Sequence, residues 1–375
     1  MKIALISVAP PFRGGISKHT SILAEYLSVN HSIDIINYSR QYPGILFPGK
    51  SQYLDDYLDI DNNYKYIDSI NPFSWFKTAR FINQNNYDLV IFRFWNPFFS
   101  PALSIIASII KKKSVSSKLI SLCDNIIPHE RFPLSDYFIK MLFNNLDGHL
   151  VQSNQTAIEL KQVVDSPKYI KSFHPLYNTF QKKLDKEVAK SVLNLKTNNV
   201  ILYFGIIRDY KGLDILINSI NILKDKYTDF HLIIAGECYG DSKQYEDLML
   251  NFNLSKYITW HNYYISDKKV HNYFSAADVV VLPYRSASQS GVAQIAYNYN
   301  IPIIVSDIVG LAEIVENGKS GFIFESENPI KLANILYENF QNSTFTDMQE
   351  FISTYKKIFS WEKFVESIEI LYHKL

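Results

Sequence analysis

Two loops in this 375-residue sequence combine glycines with residues that could hold an anion. In FGIIRDYKGLDILI, residues 204–217, Arg208 and Lys211 stand three apart between a strand-like run and a helical one. At that spacing both can converge on one anion, arginine as a planar fork and lysine as a point charge. Gly205 closes the strand-like run, and Gly212 keeps the backbone open to a ligand. A departing diphosphate needs its charge stabilised, and such a pair can do so without a metal. A solvated surface explains an isolated Arg-x-x-Lys equally well, but the C-terminal end of a parallel strand is where open sheets bind ligands.

The second loop is PPFRGGISKHT, residues 10–20, again between a buried strand and a helix. Gly14 and Gly15 allow a tight turn and close approach, and the helix start offers unpaired N–H groups to negative charge. A plain strand-to-helix turn is the alternative reading. A third segment, residues 277–324, runs from a buried strand through SASQSG into a helix near Gly291. Gln289, Ser290 and Gly291, with Val292 beside them, are candidates for phosphate contacts at that helix start, and structural turning is again the alternative. Gly236 and Glu237 end another strand and could line the same cleft. The nine histidines form no metal-ligand spacing and no Asp-x-Asp tag stands out, so neither a metal nor another cofactor is expected.

These loops need elements to position them. Short β-branched runs recur, each followed by a segment of helical period, as in parallel sheets with crossover helices. One series starts at Lys2–Val8 and a helix near Ile16–Val29. It continues through strands near Ser32–Asn37, Leu89–Phe94, Leu119–Leu122 and His149–Val151, a helix near Asn154–Val164 and a strand near Tyr169–Phe173. HPLYNTFQKK, residues 174–183, breaks the pattern as a candidate linker. From 200 the alternation restarts, with strands near Phe230–Ala235, Ile258–Trp260, Val279–Leu282 and Ile303–Ser306. Helices near Gly212–Lys224, Tyr245–Phe252, Asp267–Ala276 and Gly291–Tyr299 separate them. Residues 359–375 close the sequence as an amphipathic helix.

Composition agrees with two ordinary cores: 47% hydrophobic and 20% charged residues argue against disorder. A formal charge of +1 provides no global field for nucleic acid, so any anion site must be local. Cys123 and Cys238, far apart, indicate neither a disulfide framework nor a zinc site, and a reducing cytoplasmic setting is expected. The N-terminus lacks a signal-peptide pattern, and no apolar stretch reaches the ~18 residues that would span a bilayer. PFFSPALSIIASIIKKK, residues 97–113, reads either as a peripheral membrane contact or as a crossover helix ending in exposed charge.

The Gly-Gly loop, FGxxRxYKGxDxLI, AGE at 235–237, AADVVVLPY, IPIIVSD and GLAEIVENGKSGFIF occur in an order that resembles glycosyltransferase family 4, retaining enzymes of GT-B architecture. The resemblance implies two Rossmann-like α/β domains facing across a cleft. These are residues 1–176, for the acceptor, with helix 359–375 packing back on them, and residues 177–358, for a nucleotide-sugar donor. It matches Arg208 and Lys211 to the pair that holds the donor diphosphate, and Gly15 to the glycine-loop position facing the donor. It puts Trp260, His261 and Asn262 where the backbone meets the nucleobase. Glu313 is similar to a family glutamate, although stabilising a helix start would account for it too.

Two departures stand out. Where the family commonly has two glutamates eight apart, alignment on Pro302 finds Ala287 and Ile295, and SQSGV looks like a subgroup that replaces them. In SLCDNIIPHE, residues 121–130, Asp124 stands in place of the expected histidine. The pattern is similar to HN-x-x-PHE, which makes His129 the preferred active-site residue, with Asp124 and Glu130 next. The implied reaction is sugar transfer from a nucleoside diphosphate sugar to a polysaccharide or lipid-linked acceptor. Rival readings are a phosphorylase or epimerase on the same architecture, and a non-catalytic sugar-binding or scaffolding protein descended from such an enzyme.

Overall fold

The computed structural model describes residues 1–44, 51–54, 57, 61–113, 116–127 and 134–375. The chain divides into two units, one built from Met1–His174 with Trp361–Leu375 and the other from Pro175–Ser360.

The first unit runs β1 (Lys2–Ile6), α1 (Gly15–Ser28), β2 (Ser32–Arg40), β3 (Asn63–Asp68), α2 (Pro72–Asn85), β4 (Leu89–Phe94), α3 (Ser100–Lys113), β5 (Lys118–Cys123), α4 (Ser135–Phe143), β6 (Gly148–Val151), α5 (Asn154–Val163) and β7 (Tyr169–Lys171). The strands form one parallel sheet in the order β3-β2-β1-β4-β5-β6-β7. Strands such as LVIFRF in β4 are buried along their whole length, as sheets covered on both faces require. Asn71 caps α2 by accepting from the Phe73 N–H, with Pro72 at the first helical position, and Ser153 caps α5 through Thr156 N–H.

The apolar positions of α3, Ala102, Leu103, Ile106, Ala107 and Ile110, are buried in the core, leaving Lys111, Lys112 and Lys113 exposed at its end. Its apolar run is therefore accounted for by packing. No helix among the described residues is long and apolar enough to cross a membrane.

The second unit runs α6 (Lys186–Val192), β8 (Asn199–Phe204), α7 (Leu213–Leu223), β9 (Phe230–Ala235), α8 (Lys243–Asn251), β10 (Ile258–His261), α9 (Asp267–Ala276), β11 (Val279–Leu282), α10 (Gly291–Asn298), β12 (Ile303–Ser306), α11 (Val309–Ala312), β13 (Gly321–Phe324), α12 (Pro329–Gln341) and α13 (Thr344–Tyr355). Its parallel sheet has the order β10-β9-β8-β11-β12-β13. Both sheets grow outward from a first strand in one direction and then restart on its other side. The reversal falls between β1 and β4 in one unit and between β8 and β11 in the other. Ligands of open α/β sheets bind beyond the carboxyl ends of the strands at such reversals. The expectation of two parallel-sheet Rossmann-like domains is borne out.

A last helix, α14 (Trp361–Lys374), belongs to the first unit. Trp361, Phe364, Ile368 and Leu371 are each about 1% exposed, a burial worth about 1.5–3 kcal/mol per side chain. The Trp361 ring meets His19 of α1 edge-on at 4.7 Å and stacks on Tyr26 at 5.6 Å. Glu369 accepts a hydrogen bond from His31, and the carbonyl of Leu375 accepts one from Lys118.

Candidate active site

The reversal point of the second sheet is lined by the segments after β8 and β11, which contain the basic pair and the SASQSG run. A single turn of 3-10 helix, Asp209–Lys211, bends the first segment, and the Lys211 N–H donates to the Arg208 carbonyl. The Lys211 ammonium lies 5.5 Å from the centre of the Tyr284 ring, and the Arg208 guanidinium lies 5.6 Å from that of Tyr239. Burial, and then the charge of Arg208, pull the Lys211 pKa down to about 8. Two cations held close without a bound anion raise each other's cost, and an arriving dianion relieves it.

Gly205, Gly236 and His261 form the floor beside this pair. The Gly205 N–H donates to Ala235, and the Gly236 N–H donates to His261. A Cβ on Gly236 would sit 1.9 Å from the Gly205 carbonyl oxygen, at a left-handed φ of +156°, so only glycine lets these two strand ends approach. Glu237 is buried, and its carbonyl accepts from the Ile207 N–H. On the other side, a Cβ on Gly205 would stand 3.3 Å from a Val292 methyl, which places the start of α10 next to the basic loop.

Helix α10 begins at Gly291 after Ser290, which is buried and makes no side-chain cap, while its hydroxyl hydrogen-bonds Tyr284. The start of α10 therefore keeps backbone N–H groups for a ligand, in contrast to α2 and α5. Gln289 is partly buried on the approach to it. The structure thus brings Gly205, Arg208, Lys211, Ser290, Gly291 and Val292 together.

The remaining second-unit candidates are distributed around this centre. Trp260 is partly buried beside Tyr245, with its indole N–H unpartnered. His261 Nδ1 pairs with the Tyr273 hydroxyl at 2.8 Å, and burial and Lys269 keep the ring below its ordinary pKa. Asn262 is exposed, and its side-chain oxygen accepts from Cys238 N–H, tying the loop after β9 to the loop after β10. The reading of Glu313 as a helix-start stabiliser is corrected: α11 begins at Val309, and Glu313 stands at its carboxyl end. Ala287 is partly buried and Ile295 lies in the packed face of α10, so neither position presents a carboxylate.

In the first unit, Gly14 and Gly15 are exposed at the start of α1, which also lacks a side-chain cap. Asp124 follows β5 but is 7% exposed, and both its oxygens are engaged. Arg93 Nε donates to one at 2.6 Å, Arg93 Nη2 donates to the other at 2.7 Å, and Gln152 adds a contact at 2.8 Å. Arg93 Nη1 donates to His19 Nδ1 at 2.8 Å, and burial keeps that ring neutral, well below its ordinary pKa. Asp124 thus anchors a buried polar chain running from the end of β5 through β4 to α1. His129 and Glu130 lie outside the described residues. Arg93, Gln152 and His19 were not among the candidates, because a lone arginine inside LVIFRF does not reveal its partner across the sheet. Among the described residues no cluster of His, Cys, Asp or Glu is arranged to hold a metal.

Residues 185–357 match the family of glycosyl transferases group 1. Along its whole length the chain is 24% identical to an uncharacterized glycosyltransferase of Methanocaldococcus jannaschii, covering 99% of that protein. A D-inositol 3-phosphate glycosyltransferase of Paenarthrobacter aurescens is 26% identical over 44% of this chain and 41% of its own. Among solved structures, sucrose-phosphate synthase from Thermosynechococcus elongatus superposes with a TM-score of 0.75 at 18% identity, covering all of this chain and 98% of the other. HepE of Anabaena, solved in complex with UDP-glucose, gives 0.74 at 15% identity over the full length of both chains. With the group 1 pattern spanning most of its second unit and two Rossmann-like sheets of GT-B type, this chain is a glycosyltransferase.

Proposed function

We propose that the protein transfers a sugar from a nucleoside diphosphate sugar to a hydroxyl group of a polysaccharide or lipid-linked oligosaccharide, with retention at the anomeric carbon, as an enzyme of glycosyltransferase family 4 in its SQSGV subgroup. The observation that carries this reading is the pair Arg208 and Lys211 at the reversal point of the second sheet, with the Lys211 pKa lowered to about 8 beside the uncapped start of α10. A HepE complex with UDP-glucose on the same fold supports a nucleotide-sugar donor.

In the reaction, the bond between the anomeric carbon and the β-phosphate oxygen breaks, and its electron pair leaves with the nucleoside diphosphate. The acceptor oxygen forms the new bond to the same carbon, and its proton passes to the leaving phosphate. Arg208, Lys211 and the N–H groups at Ser290, Gly291 and Val292 stabilise the departing charge, with Gln289 adjoining. No metal is assigned a role. Gly205, Gly236, Glu237, Trp260, His261 and Asn262 are assigned to the donor cleft and base, with Glu313 at its edge. His129, followed by Glu130, is assigned to orient acceptor or donor, and Gly14 and Gly15 to face the donor phosphate.

A lipid-linked acceptor would bring the enzyme to the cytoplasmic face of the membrane, in synthesis of cell-envelope glycans, where the exposed Lys112 and Lys113 would face anionic headgroups, Lys111 being paired with Asp147.

Thermal-shift screening against a panel of nucleotide sugars, followed by product analysis, tests the donor assignment, since a ligand that binds the folded state raises apparent stability. Arg208→Ala and Lys211→Ala should each weaken diphosphate binding or transfer at least ~tenfold, the loss of one charge-assisted contact. A folded double variant with unchanged transfer kinetics refutes the assignment. Donor binding without turnover on any acceptor would instead favour the scaffolding reading, to which Ala287 and Ile295 point.

A further inference from the structure

Arg285 follows β11 by three residues, in the segment that leads from β11 into α10. Its guanidinium reaches back to the other lining segment. Nη1 donates to the Asp214 carboxylate at 2.9 Å and to the Asp209 carbonyl at 2.8 Å, and Nη2 donates to the second Asp214 oxygen at 2.6 Å. Its backbone N–H donates to the Tyr210 carbonyl at 2.7 Å. Nε donates to Glu327 at 3.2 Å.

Asp209 and Tyr210 lie between Arg208 and Lys211, and Asp214 is in the first turn of α7, where the helix dipole favours a carboxylate. One side chain therefore clamps the bend carrying the basic pair from both of its ends. An ordinary exposed ion pair contributes little. Here, however, a two-pronged arginine–carboxylate contact is combined with two bonds to main-chain carbonyls, and Arg285 and Asp214 are each only about one-third exposed. Gly212 adds a second constraint: its backbone packs so closely on Pro283 that a Cβ would stand 2.0 Å from the Pro283 carbonyl oxygen.

We infer that Arg285 is a positioning residue: through Asp214 and the carbonyls of Asp209 and Tyr210 it fixes the Arg208–Lys211 bend against the segment leading into α10, so that both anion-binding parts are preorganised. The role in binding rests on the donor reading given above, whereas the fixing of the bend does not. Preorganisation matters because an arginine or lysine that must be ordered on binding gives up rotamer entropy at that moment. A lysine at 285 cannot reproduce the fork.

The test uses the full-length protein and its variants Arg285→Ala, Arg285→Lys and Glu327→Gln. Amide hydrogen exchange without ligand reads the bend directly. In Arg285→Ala, and nearly as much in Arg285→Lys, amides of 209–214 should exchange at least tenfold faster, with the β8 and β12 amides unchanged. Glu327→Gln, which removes only the contact to an exposed carboxylate, should behave as the wild type. Should Arg285→Ala fail to fold, Asp214→Asn removes the charge partner at nearly constant shape and should show the same local acceleration. Wild-type exchange at 209–214 in the alanine or asparagine variant overturns the inference. In parallel, titration with UDP should show an affinity about tenfold lower for Arg285→Ala, and lysine should restore little of it. Accelerated exchange with UDP affinity unchanged would also overturn it, reducing Arg285 to a structural tie. A wild-type protein that binds neither UDP nor any other nucleoside diphosphate counts against the donor reading, while the exchange result still decides whether Arg285 fixes the bend.

Discussion

The ammonium of Lys211 rests over the ring of Tyr284 at 5.5 Å, joining the segment after β8 to the segment after β11. The aromatic face offers partial compensation for a cation that burial and Arg208 destabilise. Because the folded-state pKa of about 8 lies below the ordinary value near 10.4, the side chain loses its proton in the folded protein first. Anion binding that depends on the ammonium is thus fully present below pH 8 and lost as pH rises through it. UDP affinity measured by calorimetry at pH 7, 8, 9 and 9.5 should fall across that range, by up to about tenfold per unit above the pKa. Lys211→Arg, which stays charged, should flatten the profile. A wild-type curve level to pH 9.5 would show that the lysine charge does not contribute.

Arg93 and Asp124 predict a large effect on stability. Each is almost entirely buried, and removing one partner leaves the other charged and unpaired. Arg93→Met or Asp124→Leu alone should cost about 3–5 kcal/mol in denaturant unfolding, whereas replacing both by apolar residues of similar volume should recover much of it. Additive losses in the double variant would contradict a coupled pair.

Gly212 has φ +62° and its backbone nearly touches Pro283. Gly212→Ala therefore combines left-handed strain of about 1–3 kcal/mol with a steric clash against main chain that cannot rotate away. The expected result is a fall in melting temperature together with weaker UDP binding. Unchanged values for both would mean that the two segments separate readily.

Chelation probes the assignment of charge stabilisation to side chains and helix N–H groups. Transfer measured after extensive treatment with EDTA should keep at least about half its rate, as Arg208 and Lys211 need no ion to act. Abolition by EDTA and recovery with a divalent cation would shift that role to a metal.

How far the sequence foretold this depends on whether a residue's partners are near it in the chain. β4, β9, β11 and β12 occupy the spans expected for them, because each is an apolar run buried on both faces and bounded by polar turns. β3, Asn63–Asp68, escaped notice: NYKYID at the sheet edge is mostly half-exposed and carries charge, so its alternation is blurred. β13 was likewise hidden, four residues within a motif read only as a family signature. The Arg208–Lys211 loop was legible because both residues fall within one turn. Arg285 was not, since its value lies in a carboxylate seventy-one positions earlier, and only the pairing of β8 with β11 brings the two segments together.

The membership of α14 in the first unit has a consequence for how the molecule is made. Residues 175–360 are contiguous, so the second unit can complete its core as soon as it has left the ribosome. The first unit is interrupted: His19 and Tyr26, translated near the beginning, await Trp361, which arrives some 340 residues later. During synthesis the face of α1 that Trp361 covers therefore lacks that partner until all of residues 175–360 have been translated.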